Sequence, residues 1–279
     1  MDLDYIIQIE DLYFRYKDGT VALQGLSLFI EGGKKVALLG PNGAGKSTLL
    51  LHLNAIHLPQ RGRVRVAGRE ISRSTERWVR SRVGMVFQDP DDQLFSTTVK
   101  EDVAFGPRNL GLSPAEVEER VEVALAAVGM LAYRDRAPYH LSYGQKKRVA
   151  IAGVLAMEPD IIVMDEPMAF LDPAGQEAVR AILDRLHKEG KTLVIATHDV
   201  DFAASWAEDT IIMKGGRVLA QGGPEILLEP QLVREAGLRL PRVAEVFLGL
   251  LPANMKLPRD VSDARRILRS LIDNGWGAG

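Results

Sequence analysis

The segment Gly40, Pro41, Asn42, Gly43, Ala44, Gly45, Lys46, Ser47 fits the pattern G-x-x-x-x-G-K-[ST] and restricts the fold more than any other stretch of the chain. The apolar run Val36 to Leu39 precedes it and the helical pattern Thr48 to Leu53 follows, giving the order strand, glycine-rich loop, helix. Glycines let successive backbone N–H groups curl around a phosphate, and the following helix adds its positive dipole. Lys46 is then placed to reach the β- and γ-phosphates of a nucleotide and the Ser47 hydroxyl to ligate Mg2+. A glycine turn that only starts a helix has no use for the Lys46-Ser47 pair, so Gly40 to Thr48 is the candidate ATP site.

Three more apolar runs, Val83 to Phe87, Ile161 to Met164 and Thr192 to Ala196, read as strands of a sheet covered on both faces. The second delivers Asp165 and Glu166 to the carboxyl edge, where open α/β sheets bind ligands. Asp165 suits a Mg2+-directed role and Glu166 the orientation or deprotonation of an attacking water, although an acidic turn into a helix begun by Pro167 has the same local pattern. The third run ends at His198, a candidate donor to a γ-phosphate oxygen, and the first leads to Gln88, whose amide oxygen is a candidate ligand for Mg2+ or water. The remaining histidines, His52, His57, His140 and His187, show no metal-ligand spacing, so no transition-metal site is expected.

Alternation of Leu12, Phe14 and Tyr16 with Tyr13 and Arg15 predicts antiparallel β-structure in the first 30 or so residues. Val117, Val121, Leu125 and Val128 recur at helical spacing and predict a helical subdomain inserted at about 90–157. Lys214-Gly215-Gly216 predicts a hairpin, and Gly222-Gly223-Pro224 a boundary between residues 1–222 and an extension, 223–279. In that extension a helix is expected from Ser262, with Ile267, Leu268, Leu271 and Ile272 on one side and Asn274-Gly275 as its stop. With 35 basic and 37 acidic residues the chain has no global field to attract nucleic acid. The longest apolar run, Val123 to Tyr133, falls far short of the roughly 20 residues a bilayer-spanning helix needs. Met1-Asp2-Leu3-Asp4 lacks the basic start of an export signal, so any membrane role requires a partner to hold the chain there. The lack of cysteine suits a reducing compartment.

Leu141-Ser142-Tyr143-Gly144-Gln145 opens a helix expected to run to about Met157, and locally it is a capping box of Ser142 and Gln145. The same helix start offers N–H donors to a second phosphate. The ordered set Gly40 to Ser47, Gln88, Leu141 to Gln145, Asp165-Glu166, Leu171-Asp172 and His198 resembles the nucleotide-binding domain of ABC transporters. The resemblance implies an α/β P-loop ATPase cassette with an N-terminal antiparallel β subdomain, a helical insert and a small C-terminal extension. It further implies a head-to-tail homodimer or paired cassette, in which Ser142, Gly144 and Gln145 face the γ-phosphate of ATP held by the other subunit. Asp172 would lie in the loop linking the two sites and Tyr16 would stack on adenine. Tyr143 and Met168 depart from the family pattern, where glycine and threonine are commonest.

Val86 to Phe95, Val99 to Pro107, Lys146 to Gly153 and Phe170 to Pro173 resemble the ATPases of energy-coupling factor transporters, especially the cobalt and nickel group. That resemblance implies an integral membrane coupling protein, a separate membrane subunit that captures substrate, and a place at the cytoplasmic face of a prokaryotic inner membrane. Asp91, Asp92 and Gln93 are the expected coupling surface, and the extension is expected to pair with its counterpart or pack on its own cassette. Vitamin uptake is the rival cargo. A soluble ABC ATPase acting on a macromolecule is the rival class, and the chain lacks the heptad insertion or second cassette such proteins carry.

Overall fold

The computed structural model describes residues 5–251 and 255–273. Strands β1 (Tyr5–Arg15) and β2 (Val21–Glu31) form the expected antiparallel pair, followed by β3 (Lys35–Leu39) and helix α1 (Lys46–Leu53). Next come β4 (Arg61–Val66), β5 (Arg69–Glu70), α2 (Glu76–Arg82) and β6 (Val83–Val86). The insert holds α3 (Val99–Leu110), α4 (Pro114–Ala127) and α5 (Tyr143–Leu155). The chain then alternates through β7 (Ile161–Asp165), α6 (Pro173–Lys188), β8 (Thr192–Thr197) and α7 (Val200–Trp206) to the hairpin β9 (Asp209–Lys214) and β10 (Arg217–Gly222).

The larger sheet has the order β10-β9-β3-β8-β7-β6, parallel except for β10. Its central strands serve two cores. Val36, Leu38, Ile161, Val163, Val194 and Ala196 pack with α1 and the smaller sheet, β2-β1-β4-β5. Their neighbours Ala37, Leu39, Ile162, Met164, Leu193 and Ile195 pack with α3 to α7. Period-two alternation between two apolar layers is why these strands read as continuous apolar runs. Register then fixes the site, because Leu39 pairs with both Thr197 and Ile212, and Asp165 pairs with Ala196. The ends of β3, β7 and β8 therefore release their loops at one edge.

Past Gly223 the chain stays on this core. Leu227 and Ala236 are fully buried in the same cluster as Phe202 and Trp206. They come from a 3-10 turn (Pro224–Leu228) and the end of α8 (Pro230–Glu235), and α9 (Arg242–Phe247) adds the buried Ala244 beside Val233 and Leu240. In α10 (Val261–Asp273) Leu271 is buried, Ile267 half-buried, and Leu268 and Ile272 exposed, so the four apolar residues do not share one covered side. The expected stop at Asn274-Gly275 lies outside the described residues.

Candidate nucleotide site

The loop between β3 and α1 is glycine-rich because its back is crowded. A Cβ on Gly40 would lie 2.3 Å from the Met213 carbonyl oxygen, and one on Gly45 would lie 2.6 Å from that of Ala22. Gly43 has φ +78 and open space around it. β2 and β9 thus hold the loop from behind while its open side stays clear, a cradle suited to a phosphate chain. Lys46 is buried, and its Nζ donates to the carbonyls of Gly40 (2.7 Å) and Pro41 (3.3 Å). Burial holds its pKa below the usual lysine range, opposed by the charges of Glu166 and Asp165. Ser47 is exposed and Asn42 stands at the rim. Tyr16 is half-buried, with its hydroxyl 2.9 Å from Thr48 Oγ1 and its ring edge-on to Phe14.

Asp165 and Glu166 sit beside this loop with different surroundings. Burial pushes the Asp165 carboxyl up, reinforced by Glu166, while the Ser47 hydroxyl, Lys46 and Lys147 oppose it. Glu166 has φ 45, a strained conformation for a side-chain-bearing residue, and its N–H donates to the Ala196 carbonyl at 2.9 Å. Its carboxylate is held from both sides, by Thr197 Oγ1 at 3.2 Å and His198 Nδ1 at 2.8 Å. An ionised carboxylate only accepts, so this bond puts a proton on His198 Nδ1 and leaves Nε2 of a neutral ring as an acceptor. His198 in this position donates to a phosphate from Nε2 only as imidazolium. Thr197 joins the site from outside the set of residues that the motifs mark. Its signal was a hydroxyl next to His198 at the end of a buried strand.

Gln88 leaves β6 with an exposed side chain, and its carbonyl accepts from Tyr143 Oη (3.0 Å) and from Lys147 Nζ. Lys147 is fully buried, and burial lowers its pKa to about 8 against the pull of Asp89 and Asp165. Ser142 caps α5, accepting from Gln145 N at 3.3 Å, while Gln145 Oε1 accepts from Ser142 N at 3.0 Å. Gly144 lies in the first turn, and Asp172 caps α6 by accepting from Gly175 N at 2.7 Å.

Of the expected coupling residues, Asp91 is ion-paired with Lys146 at 2.6 Å. Gln93 uses its amide internally, accepting from Phe87 N at 3.1 Å and donating to the Ala150 carbonyl at 3.3 Å. Asp92 is exposed at the edge of a groove of about 680 Å3 lined also by Phe95, Phe105 and Met157. A separate cavity of about 490 Å3 joins Pro41, Asn42 and His198 to Gly237 and Arg239 of the extension. His52 and His57, with four residues between them, stand at a spacing that zinc sites also use, and their ring centroids are 5.6 Å apart; no cluster of three metal-binding side chains occurs among the described residues.

Residues 23–169 match the family model described as ABC transporter. The chain is 51% identical over 270 residues, 97% of its length and 100% of the relative's, to the energy-coupling factor transporter ATP-binding protein EcfA of Carboxydothermus hydrogenoformans. It is 52% identical over 246 residues, 87% of the chain and 88% of the relative, to EcfA of Methanocaldococcus jannaschii. Among solved structures it resembles cbiO1 from Clostridium perfringens, described as part of the ABC transporter complex cbiONQ, with a TM-score of 0.75 and 44% identity over 88% of this chain and 99% of that one. A dimeric ATP-binding cassette, MJ0796, bound to ADP and Pi superposes with a TM-score of 0.71 and 29% identity over 78% of this chain and 98% of that one. Half the sequence held in common over nearly the full length, on a shared fold, makes this chain a member of the ABC transporter family and, within it, of the energy-coupling factor transporter ATP-binding proteins.

Proposed function

We propose that this ATPase powers an energy-coupling factor importer for cobalt or nickel ions. It would work as a pair of cassettes beneath an integral membrane coupling protein, with a separate membrane subunit capturing the ion, at the cytoplasmic face of a prokaryotic inner membrane. The observation that carries the chemistry is the Glu166 carboxylate, fixed between Thr197 and His198 at the sheet edge that also carries the phosphate loop. Held in this way it accepts a proton from water positioned for in-line attack on the γ-phosphate. Lys46 and the loop N–H groups bind the phosphates. Ser47, Asp165 and Gln88 are oxygen donors suited to Mg2+, which when bound neutralises charge on the phosphates. Ser142, Gly144 and Gln145 serve the ATP of the partner cassette, and the dimeric ADP-bound cassette of the same fold supports that pairing.

The groove lined by Asp92, Phe95 and Phe105 is the proposed coupling surface, with Phe95 67% and Phe105 49% exposed. Asp91 joins it only by releasing Lys146. Among the described residues no helix is long and apolar enough to cross a membrane, so the membrane step belongs to partners. Vitamin cargo is the second reading, because the names of the relatives specify no cargo and this chain's site residues face nucleotide. Purification of the complex in mild detergent, identification of its membrane subunits and measurement of cobalt and nickel uptake decides between them. ATP-driven uptake of neither ion would end the metal reading.

A further inference from the structure

The N-terminal half of α5 is tied to the Gln88 loop more densely than a helix start requires. Lys146 Nζ is paired with Asp91 at 2.6 Å, Lys147 Nζ donates to the Phe87 carbonyl at 3.2 Å and also to that of Gln88, and the Gln93 amide spans Phe87 N and the Ala150 carbonyl. Tyr143 stands at the centre of this set. Its hydroxyl donates to the Gln88 carbonyl at 3.0 Å, its ring lies 5.7 Å from Lys147 Nζ, and its ring meets that of Phe170 edge-on at 5.9 Å. Phe170 has φ 61 and is 79% exposed, two residues before Asp172. Burial and the carboxylates of Asp89 and Asp91 push the phenol pKa up, so the hydroxyl keeps its proton at neutral pH.

We propose that Tyr143 is a positioning residue that fastens the Gln88 loop to the start of α5, so that the loop facing this chain's own ATP and the helix offered to the partner's ATP move as one body. A glycine at this place has no atom with which to reach the Gln88 carbonyl. Tyr143 therefore turns a departure from the family pattern into a link between two phosphate-facing elements, with Phe170 seating the ring from the side of the Asp172 loop. The inference rests on the proposed role of Gln88 toward Mg2+.

The test is Tyr143→Phe in the full-length chain, which keeps the ring and its contact with Phe170 and removes only the hydroxyl. Half-saturating Mg2+ for ATP hydrolysis is expected to rise about fivefold, the effect of one lost hydrogen bond, with kcat at saturating Mg2+ changed less than about twofold. Amide exchange over 87–93 is expected to quicken while that of the middle of α5 stays unchanged. In a Gln88→Ala background the Tyr143→Phe change should add nothing to the Mg2+ dependence, since its lever is gone. Unaltered Mg2+ dependence and unaltered exchange in Tyr143→Phe would overturn the proposal, as would an equal kinetic effect in both Gln88 backgrounds. If Gln88→Ala alone leaves Mg2+ dependence unchanged, the reading of Gln88 as a ligand fails, and exchange over 87–93 still decides whether Tyr143 fastens the loop.

Discussion

Helix α1 follows a glycine-rich loop and helix α5 carries Gly144 within its first turn, and the two first turns are finished in opposite ways. α1 starts from Gly45 at φ 100 and no side chain caps it. α5 starts from Ser142 with both halves of a capping box closed, so two of its early polar groups already have partners within the chain. An uncapped helix start leaves its N–H groups to a ligand, whereas a capped one is stable alone and offers a ligand only what remains. On this basis we propose that the phosphate loop is a complete site in one chain and the α5 start a partial one. ATP affinity should then reside with α1, and the contribution of α5 should appear only when a second cassette arrives.

The largest effect should come from chemistry that both helices serve. Glu166→Gln keeps the shape of the side chain but cannot take the proton of water, so hydrolysis should fall by about 10²- to 10⁴-fold while ATP binding persists. Light scattering should show an ATP-dependent dimer that no longer dissociates. Wild-type turnover in the purified variant would remove Glu166 from the role of base. The difference between the helices is sharpened by a pair of changes of smaller size. Lys46→Ala should weaken ATP binding by the single chain roughly 10- to 100-fold, the loss of a charge-assisted contact. Ser142→Asp preserves a good cap but sets a negative charge before a phosphate, so ATP-dependent dimerisation should weaken about tenfold with the melting temperature nearly unchanged. Equal weakening of single-chain ATP binding by both substitutions would break the comparison.

Much of α1, α5 and the strand ends was legible because local chemistry and tertiary role coincide there. A glycine-rich turn, a Lys-Ser pair and carboxylates after a buried run are dictated by short-range geometry, and β3, β7 and β8 then align them by register. The segment β4 to β5 carries little local signal although Val64 and Val66 alternate with Arg63 and Arg65, because six arginine-rich residues present a weak apolar face until β1 pairs with them. Lys147 was unreadable for a different reason. Lysine is almost never fully buried unless paired, and its partners here are two carbonyls some 60 residues upstream. The extension was legible as helix, and of its two expected fates, pairing or packing on its own cassette, the burial of Leu227 and Ala236 in the main core agrees with packing. A cut after Gly223 would strip Leu227 and Ala236 from the main core, so removal of α10 alone is the change that isolates pairing by the extension.

The smallest expected effect concerns the far end of α1, where the two helices differ again. His52, in the last turn of α1, is fully buried; its Nδ1 donates to the Thr48 carbonyl at 2.7 Å and its Nε2 has no partner. Phe14 and His57 pack on the ring, and Tyr16 ties Thr48 from the other side. Protonation would bury a charge, and burial accordingly lowers the His52 pKa to about 4, with the backbone of Thr48 and Leu58 opposing the shift and His57 adding to it. The folded pKa lies below the unfolded value of roughly 6.5, so this stabilisation is whole above that value and is lost as pH falls toward 4. Between pH 7 and pH 6 the loss should be roughly half to one kcal/mol. α5 contains no histidine. Amide exchange at pH 6 should therefore loosen α1 more than α5, and urea unfolding of His52→Gln should show a flatter dependence on pH than the wild type. His57, whose pKa burial also lowers, leaves a residual slope of the same sign. A His52→Gln profile parallel to the wild type would mean that acid acts elsewhere, and that α1 owes its anchorage to the Tyr16–Thr48 bond and the apolar core rather than to a neutral imidazole.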